Sequence, residues 1–102
     1  MGARAGMLTT LETARTLAGR AFEARAGGVV VPLVLDAVTG LGQGIRADGE
    51  SFSLAFSGPA TPALSQGTVE ILPAGEAGEG TPVFLVPVGR QGGRMLYEAI
   101  FN

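Results

Sequence analysis

From residue 51 to residue 59 the chain alternates strictly. Phe52, Leu54 and Phe56 fall on one side of an extended strand, and Ser51, Ser53, Ala55 and Ser57 fall on the other. Gly58-Pro59 ends the run. That apolar face holds two of the five phenylalanines in the chain, so the remaining strands are expected to gather around it. Residues 68–72 alternate in the same way, with Val69 and Ile71 opposed to Thr68 and Glu70. Residues 94–101 set Met95, Tyr97, Ala99 and Phe101 against Leu96, Glu98 and Ile100. Residues 20–26 alternate more weakly, with Phe22 and Ala24 against Glu23 and Arg25. Gly27-Gly28 and Gly92-Gly93 then provide hairpin turns.

Two further strands are apolar on both faces. In 29–38, VVVPLVLDAV, one alternating set is Val29, Val31, Leu33, Leu35 and Ala37, and the other is Val30, Val34 and Val38, with Asp36 the exception. Residues 83–88, VFLVPV, repeat the pattern. Such strands are either sandwiched within the molecule or covered by another chain. Pro32 and Pro87 cannot donate to a ladder, which places them at an edge or a bulge. An edge that is apolar on both sides invites association unless something covers it. The residues singled out for interaction are Val30, Val34, Phe84, Val86 and Val88. Alternation alone leaves open which set on each strand faces outward.

Ahead of the strands, Thr9-x-x-Glu12 matches a capping box. Leu11, Ala14, Leu17 and Ala18 follow at helical spacing, and Gly19 is a natural stop. A helix this short does not persist alone, so its apolar stripe is expected to close one end of the sheet. Residues 1–6 read as a flexible N-terminal extension, Met7 as a candidate native start, and 7–102 as a single β-rich domain. The predicted fold is all-β: six antiparallel strands in a meander, closed as a small barrel or folded as a sandwich, with one short N-terminal helix. Residues 39–50 and 73–82 are its two glycine-rich loops.

Composition narrows the chemistry. Hydrophobic residues make up 46% and charged residues 16%, against roughly 25% charged in an average soluble domain, and a surface short of charge favours association. The formal net charge is −2 and lysine is absent, the wrong balance for a nucleic-acid partner. Arg4, Arg15, Arg20 and Arg25 are interrupted by Glu12 and Glu23 and read as a solvated face.

Without Cys or His, thiolate and imidazole chemistry are excluded, and no cofactor or metal site is expected. Gly40-x-Gly42-x-Gly44 lacks phosphate-loop spacing and precedes a strand, not a helix. Asp36, Asp48 and Glu50 read as ordinary turn acids, and Glu76 and Glu79 sit in a loop with no burial to tune them. No secretory h-region and no apolar run of about 18 residues is present, so no membrane span is expected. The default address is cytoplasmic, with incorporation into an extracellular or phage-like assembly as the other.

The segments FSLAFSGP (52–59), LSQGTVEI (64–71), FLVPVGR (84–90) and YEAIFN (97–102), with MLTTL at 7–11, resemble an uncharacterised bacterial family of small all-β domains of this length. The resemblance spans nearly the whole chain from Met7. It implies an all-β accessory domain associated with tail-fibre-like or tail-collar-like proteins, and it carries no catalytic residues over.

The reading that follows is a non-enzymatic structural or protein-interaction module, a subunit of or accessory to a tail-fibre-like or surface assembly, with a protein partner or homo-oligomer. The alternative is a small ligand- or carbohydrate-binding barrel, with contacts from Tyr97, Gln43 and Gln66 between the two loops. A chain with no Trp and a single Tyr is poorly equipped for sugar stacking. On the face assignment, Phe56→Ala should lower stability by about 3–5 kcal/mol in urea melts. Ser57, on the opposite face, is expected to tolerate alanine.

Overall fold

The computed structural model describes residues 8, 10–43 and 50–101. The extension 1–6, Met7 and the Thr9 of the capping box lie outside the described residues. The elements run α1 (Leu11–Thr16), β1 (Ala21–Ala26), β2 (Val29–Gln43), β3 (Glu50–Pro59), β4 (Gly67–Pro73), β5 (Thr81–Gln91) and β6 (Arg94–Phe101). The six strands form one closed antiparallel barrel in the order β1-β2-β3-β6-β5-β4.

That order corrects the expected simple meander. Two three-stranded meanders, β1-β2-β3 and β4-β5-β6, are sealed along two seams by pairing of β3 with β6 and of β1 with β4. The cause is the connection of residues 60–66. It leaves the end of β3 and enters β4 on the opposite wall, so it crosses one mouth of the barrel instead of turning a hairpin. Leu64 in this segment is buried in the core, and its backbone N–H donates to the Tyr97 hydroxyl at 2.8 Å. Within each meander the glycine hairpins behave as the sequence predicts. Gly27 and Gly28 have φ of 55° and 83°, and Gly92 and Gly93 have 59° and 79°, the positive pair that a two-residue turn matched to strand twist requires.

At the other mouth sits α1. Thr10, with extended backbone, caps it by accepting a hydrogen bond from the Thr13 N–H at 3.3 Å, one residue later than the expected Thr9 box. The phase is set by the side chains that enter the barrel: Leu8, Leu11 and Ala14 are all buried in the core cluster. Gly19, at φ 87°, turns the chain into the barrel wall, and its N–H donates to the Leu35 carbonyl at 2.6 Å.

The inner wall is the one predicted from alternation. Phe52, Leu54 and Phe56 are buried together with Phe22, Val31, Leu33, Leu35, Val69, Ile71, Val83, Leu85, Tyr97 and Ala99. Phe22 meets Phe56 edge to face with centroids 6.1 Å apart, and Phe52 stacks on Phe101 at 4.9 Å. Gly58 belongs to this wall because a Cβ there would lie 2.8 Å from Leu33 Cδ2 and 2.9 Å from the Pro32 carbonyl.

Three expectations are corrected by local backbone geometry. First, β2 does not alternate uniformly. A bulge at Asp36 lies between the pairs Leu35↔Phe56 and Ala37↔Ala55 and reverses the sidedness, so Ala37 turns outward while Val38 packs on the core. Second, β2 continues to Gln43 and β3 begins at Glu50, so Gly40 and Gly42 are strand residues. Gly40 lies under α1, where a Cβ would come within 3.4 Å of Leu11 and Arg15. Gly44 and Asp48 lie outside the described residues. Third, the 74–80 connection is not simply solvated. It folds back over the outer side of β4 and buries Leu72, and the Arg25 guanidinium donates to the carbonyls of Gly78 at 3.1 Å and Glu76 at 3.4 Å.

The prolines find the places their missing N–H demands. Pro32 precedes the β2–β3 ladder, whose first pair is Val34↔Ser57, and Pro87 is next to a bulge of β5, at Val88, between Pro87↔Tyr97 and Gly89↔Leu96. Tyr97→Phe keeps the ring and removes only the acceptor for a buried N–H. It should therefore cost about 1–3 kcal/mol in a urea melt with an unchanged slope.

Candidate interaction surface

The outward positions of β5 and β6 carry the largest exposed apolar side chains on adjoining strands. Phe84 is 53% exposed, Val88 56% and Ile100 53%, and the half-buried Val86 and Leu96 lie between them. Each is placed by a buried neighbour. Val83 and Leu85 face the core and send Phe84 and Val86 outward, and Tyr97 and Ala99 do the same for Leu96 and Ile100. The bulge at Val88 adds an extra residue that has no inward position to take, and its side chain projects into solvent.

This strip borders a depression of about 510 Å³ on the outside of the barrel, with Ala55, Val88 and Leu96 among its apolar lining and Asp36, Arg94 and Glu98 at its charged positions. Ser57 forms part of its lining. Contrary to the expectation of an ordinary solvated outer face on β3, Ser57 is only 6% exposed. The Arg94 guanidinium lies over it and donates from Nε and Nη2 to Ser57 Oγ, at 3.3 Å each. The Asp36 and Glu98 carboxylates have no ion-pair or hydrogen-bond partner among the described residues.

Val30 and Val34 occupy a different wall. β2 and β5 are separated by β3 and β6 on one side of the barrel and by β1 and β4 on the other, so the five candidate residues do not form one patch. Val30, 52% exposed, sits opposite Arg25 of β1. Val34 is half-buried beside a smaller depression of about 320 Å³ that Pro32, Pro59 and Arg94 also line. Thus Val30, Val34, Phe84, Val86 and Val88 all carry the outward sets of their strands, which alternation alone left open. Leu96, Ile100 and Arg94 were not singled out from sequence, although the opposition of Leu96 and Ile100 to Tyr97 and Ala99 marks them as outward once Tyr97 is known to be core.

The contacts imagined for a carbohydrate do not converge. Tyr97 is buried and its hydroxyl is held by Leu64. Gln66 lies at the mouth crossed by residues 60–66, and Gln43 ends β2 towards the other mouth. Among the described residues no group of three His, Cys, Asp or Glu side chains is arranged to hold a metal ion, and no helix is long and apolar enough to cross a membrane.

Residues 9–101 match a family described as Domain of unknown function (DUF6916). The chain belongs to that family. The match covers both mouths and all six strands of the barrel, so the β5–β6 strip and its depression are part of the DUF6916 domain itself. No curated protein and no solved structure matches the chain significantly.

The Ser57–Arg94 contact ties β6 to β3 across the depression. Removing it with Ser57→Ala should cost about 1 kcal/mol, not zero. A cycle with Arg94→Met should return a coupling of about 0.5–1.5 kcal/mol in chemical denaturation.

Proposed function

We propose that this domain is a non-enzymatic protein-interaction module that docks through the outer face of β5 and β6 as a subunit of, or accessory to, a larger assembly of the tail-fibre-like or surface type. The observation that carries this reading is the exposure of Phe84 and Val88 on β5 and of Ile100 on its paired strand β6, with the half-buried Val86 and Leu96 on the same outer face. Contiguous apolar exposure of this kind marks association surfaces, whereas scattered single residues do not. The 74–80 segment covers Leu72 on β4 and the outer face of β3 is serine and alanine, so outside this strip the exposed large apolar side chains among the described residues are Val29, Val30 and Leu41 of β2.

Further support comes from the fate of the polar residues. The single tyrosine is committed to closing a mouth of the barrel, Arg25 to holding a loop, and Arg94 to covering Ser57. These are framework duties, and the side chains that remain on the strip are suited to packing against another protein. An all-β fold in a family described as a domain of unknown function is compatible with an accessory role, and the assembly is the setting in which a low-charge surface is covered.

The test is affinity capture from cells that contain the natural assembly, using immobilised wild-type protein and the Phe84→Glu/Val88→Glu variant side by side. A defined set of proteins retained by the wild type and lost from the equally stable variant is expected. Identical captured sets would remove the strip from any docking role.

A further inference from the structure

Resting on the docking reading above, we infer that the β5–β6 face is self-complementary and that its occupant is a second copy of this chain, related by a two-fold axis that crosses β6 at Leu96. The inference comes from the order of charges along one strand. On the outer side of β6, Arg94, Leu96 and Glu98 follow one another at alternate positions, so the cation and the carboxylate lie two residues to either side of Leu96, about 7 Å each at strand rise.

In an isologous interface the same patch meets itself, and the direction of the axis decides which residues face each other. An axis parallel to β6 would stack Arg94 on Arg94 and Glu98 on Glu98 of the partner subunit. An axis across the strands, along the row Val34–Ser57–Leu96–Gly89, reverses the partner's β6 and sets Arg94 over Glu98 of the partner subunit, twice. Leu96 then faces its own copy, as does the bulged Val88. Phe84 and Ile100 lie over the Gly92–Gly93 hairpin of the other copy, where no side chain obstructs them.

The groups needed for these pairs are available. Arg94 uses Nε and Nη2 on Ser57 and keeps Nη1, and the Glu98 carboxylate has no partner among the described residues. Both side chains line the same depression, so facing depressions enclose the ion pairs. The apolar centre supplies the affinity, and the charges supply register by disfavouring the parallel arrangement. A stable interface takes roughly 800 Å² from each partner, more than the five apolar residues expose, so Asp36, Arg90 and Gln91 form its rim.

Sedimentation equilibrium on the purified protein tests this with charge reversals. The wild type should dimerise. Glu98→Arg alone and Arg94→Glu alone should each weaken dimerisation at least tenfold, with thermal melts confirming that each variant is folded. Glu98→Arg leaves the Ser57 contact untouched and so remains informative even if Arg94→Glu is unstable. An equimolar mixture of the two single variants should form a heterodimer, because one chain then carries two cations and the other two carboxylates around Leu96; the double variant should recover self-association.

A wild type that stays monomeric up to about 100 µM would overturn the self-association while leaving the docking reading to the capture experiment. A wild-type dimer indifferent to Glu98→Arg, or single variants that do not combine, would place the contact on another face and overturn the inference equally.

Discussion

Everything in this barrel depends on how its mouths are closed. A six-stranded barrel has room only for its own side chains, and that interior must be sealed from water at both ends. One end is sealed by α1 and the residue just ahead of it, through Leu8, Leu11 and Ala14. The other is sealed by a stretch of irregular chain, residues 60–66, whose Leu64 enters the apolar interior. The hydrogen bond from the Leu64 N–H to the Tyr97 hydroxyl makes that burial tolerable, because an unpaired buried N–H is expensive. The same crossing carries the chain from β3 to the opposite wall, which forces β4 beside β1 and β6 beside β3. Topology and core closure are thus two results of one segment.

The bulges at Asp36 and Val88 connect this frame to the outer surface. Each places one unpaired residue in a strand and reverses or offsets the sidedness beyond it. At Asp36 the result is inward: Val38, which uniform alternation would expose, joins the core. At Val88 the result is outward: an apolar side chain projects beside Leu96 and completes the strip. The two prolines of the doubly apolar strands are compatible with a closed barrel because Pro32 lies beyond the β2–β3 ladder and Pro87 adjoins a bulge. The chain therefore has strands apolar on both faces without exposing both.

Alternation made the inner wall legible, since residues with a period of two have one side in common whatever the topology. Phe52, Leu54, Phe56, Val69 and Ile71 are core residues on that basis, while for Tyr97 and Ala99 alternation gives only that they share a side. The six strands, the glycine hairpins and the helix at one end were legible for similarly local reasons. The candidate surface was legible in part. Val30, Val34, Phe84, Val86 and Val88 are outward residues, but their division between two walls follows from strand order, which no local pattern contains. Ser57 was misjudged because its cover, Arg94, is 37 positions away in sequence.

What the sequence by itself determined is a family of faces: which residues share a side of each strand, where turns must fall, and which chemistries are absent because Cys and His are absent. These depend on backbone geometry and composition, which act over a few residues. Only the tertiary structure decided which of the two apolar faces of β2 and of β5 became the interior, that these strands stand on opposite walls, that the 74–80 segment covers β4 and leaves β5 and β6 bare, and that Tyr97 serves the core. Each of those is settled by contacts between residues far apart in the chain, whose order is set by the crossing at 60–66 and by bulges that interrupt the very periodicity a sequence reading relies on.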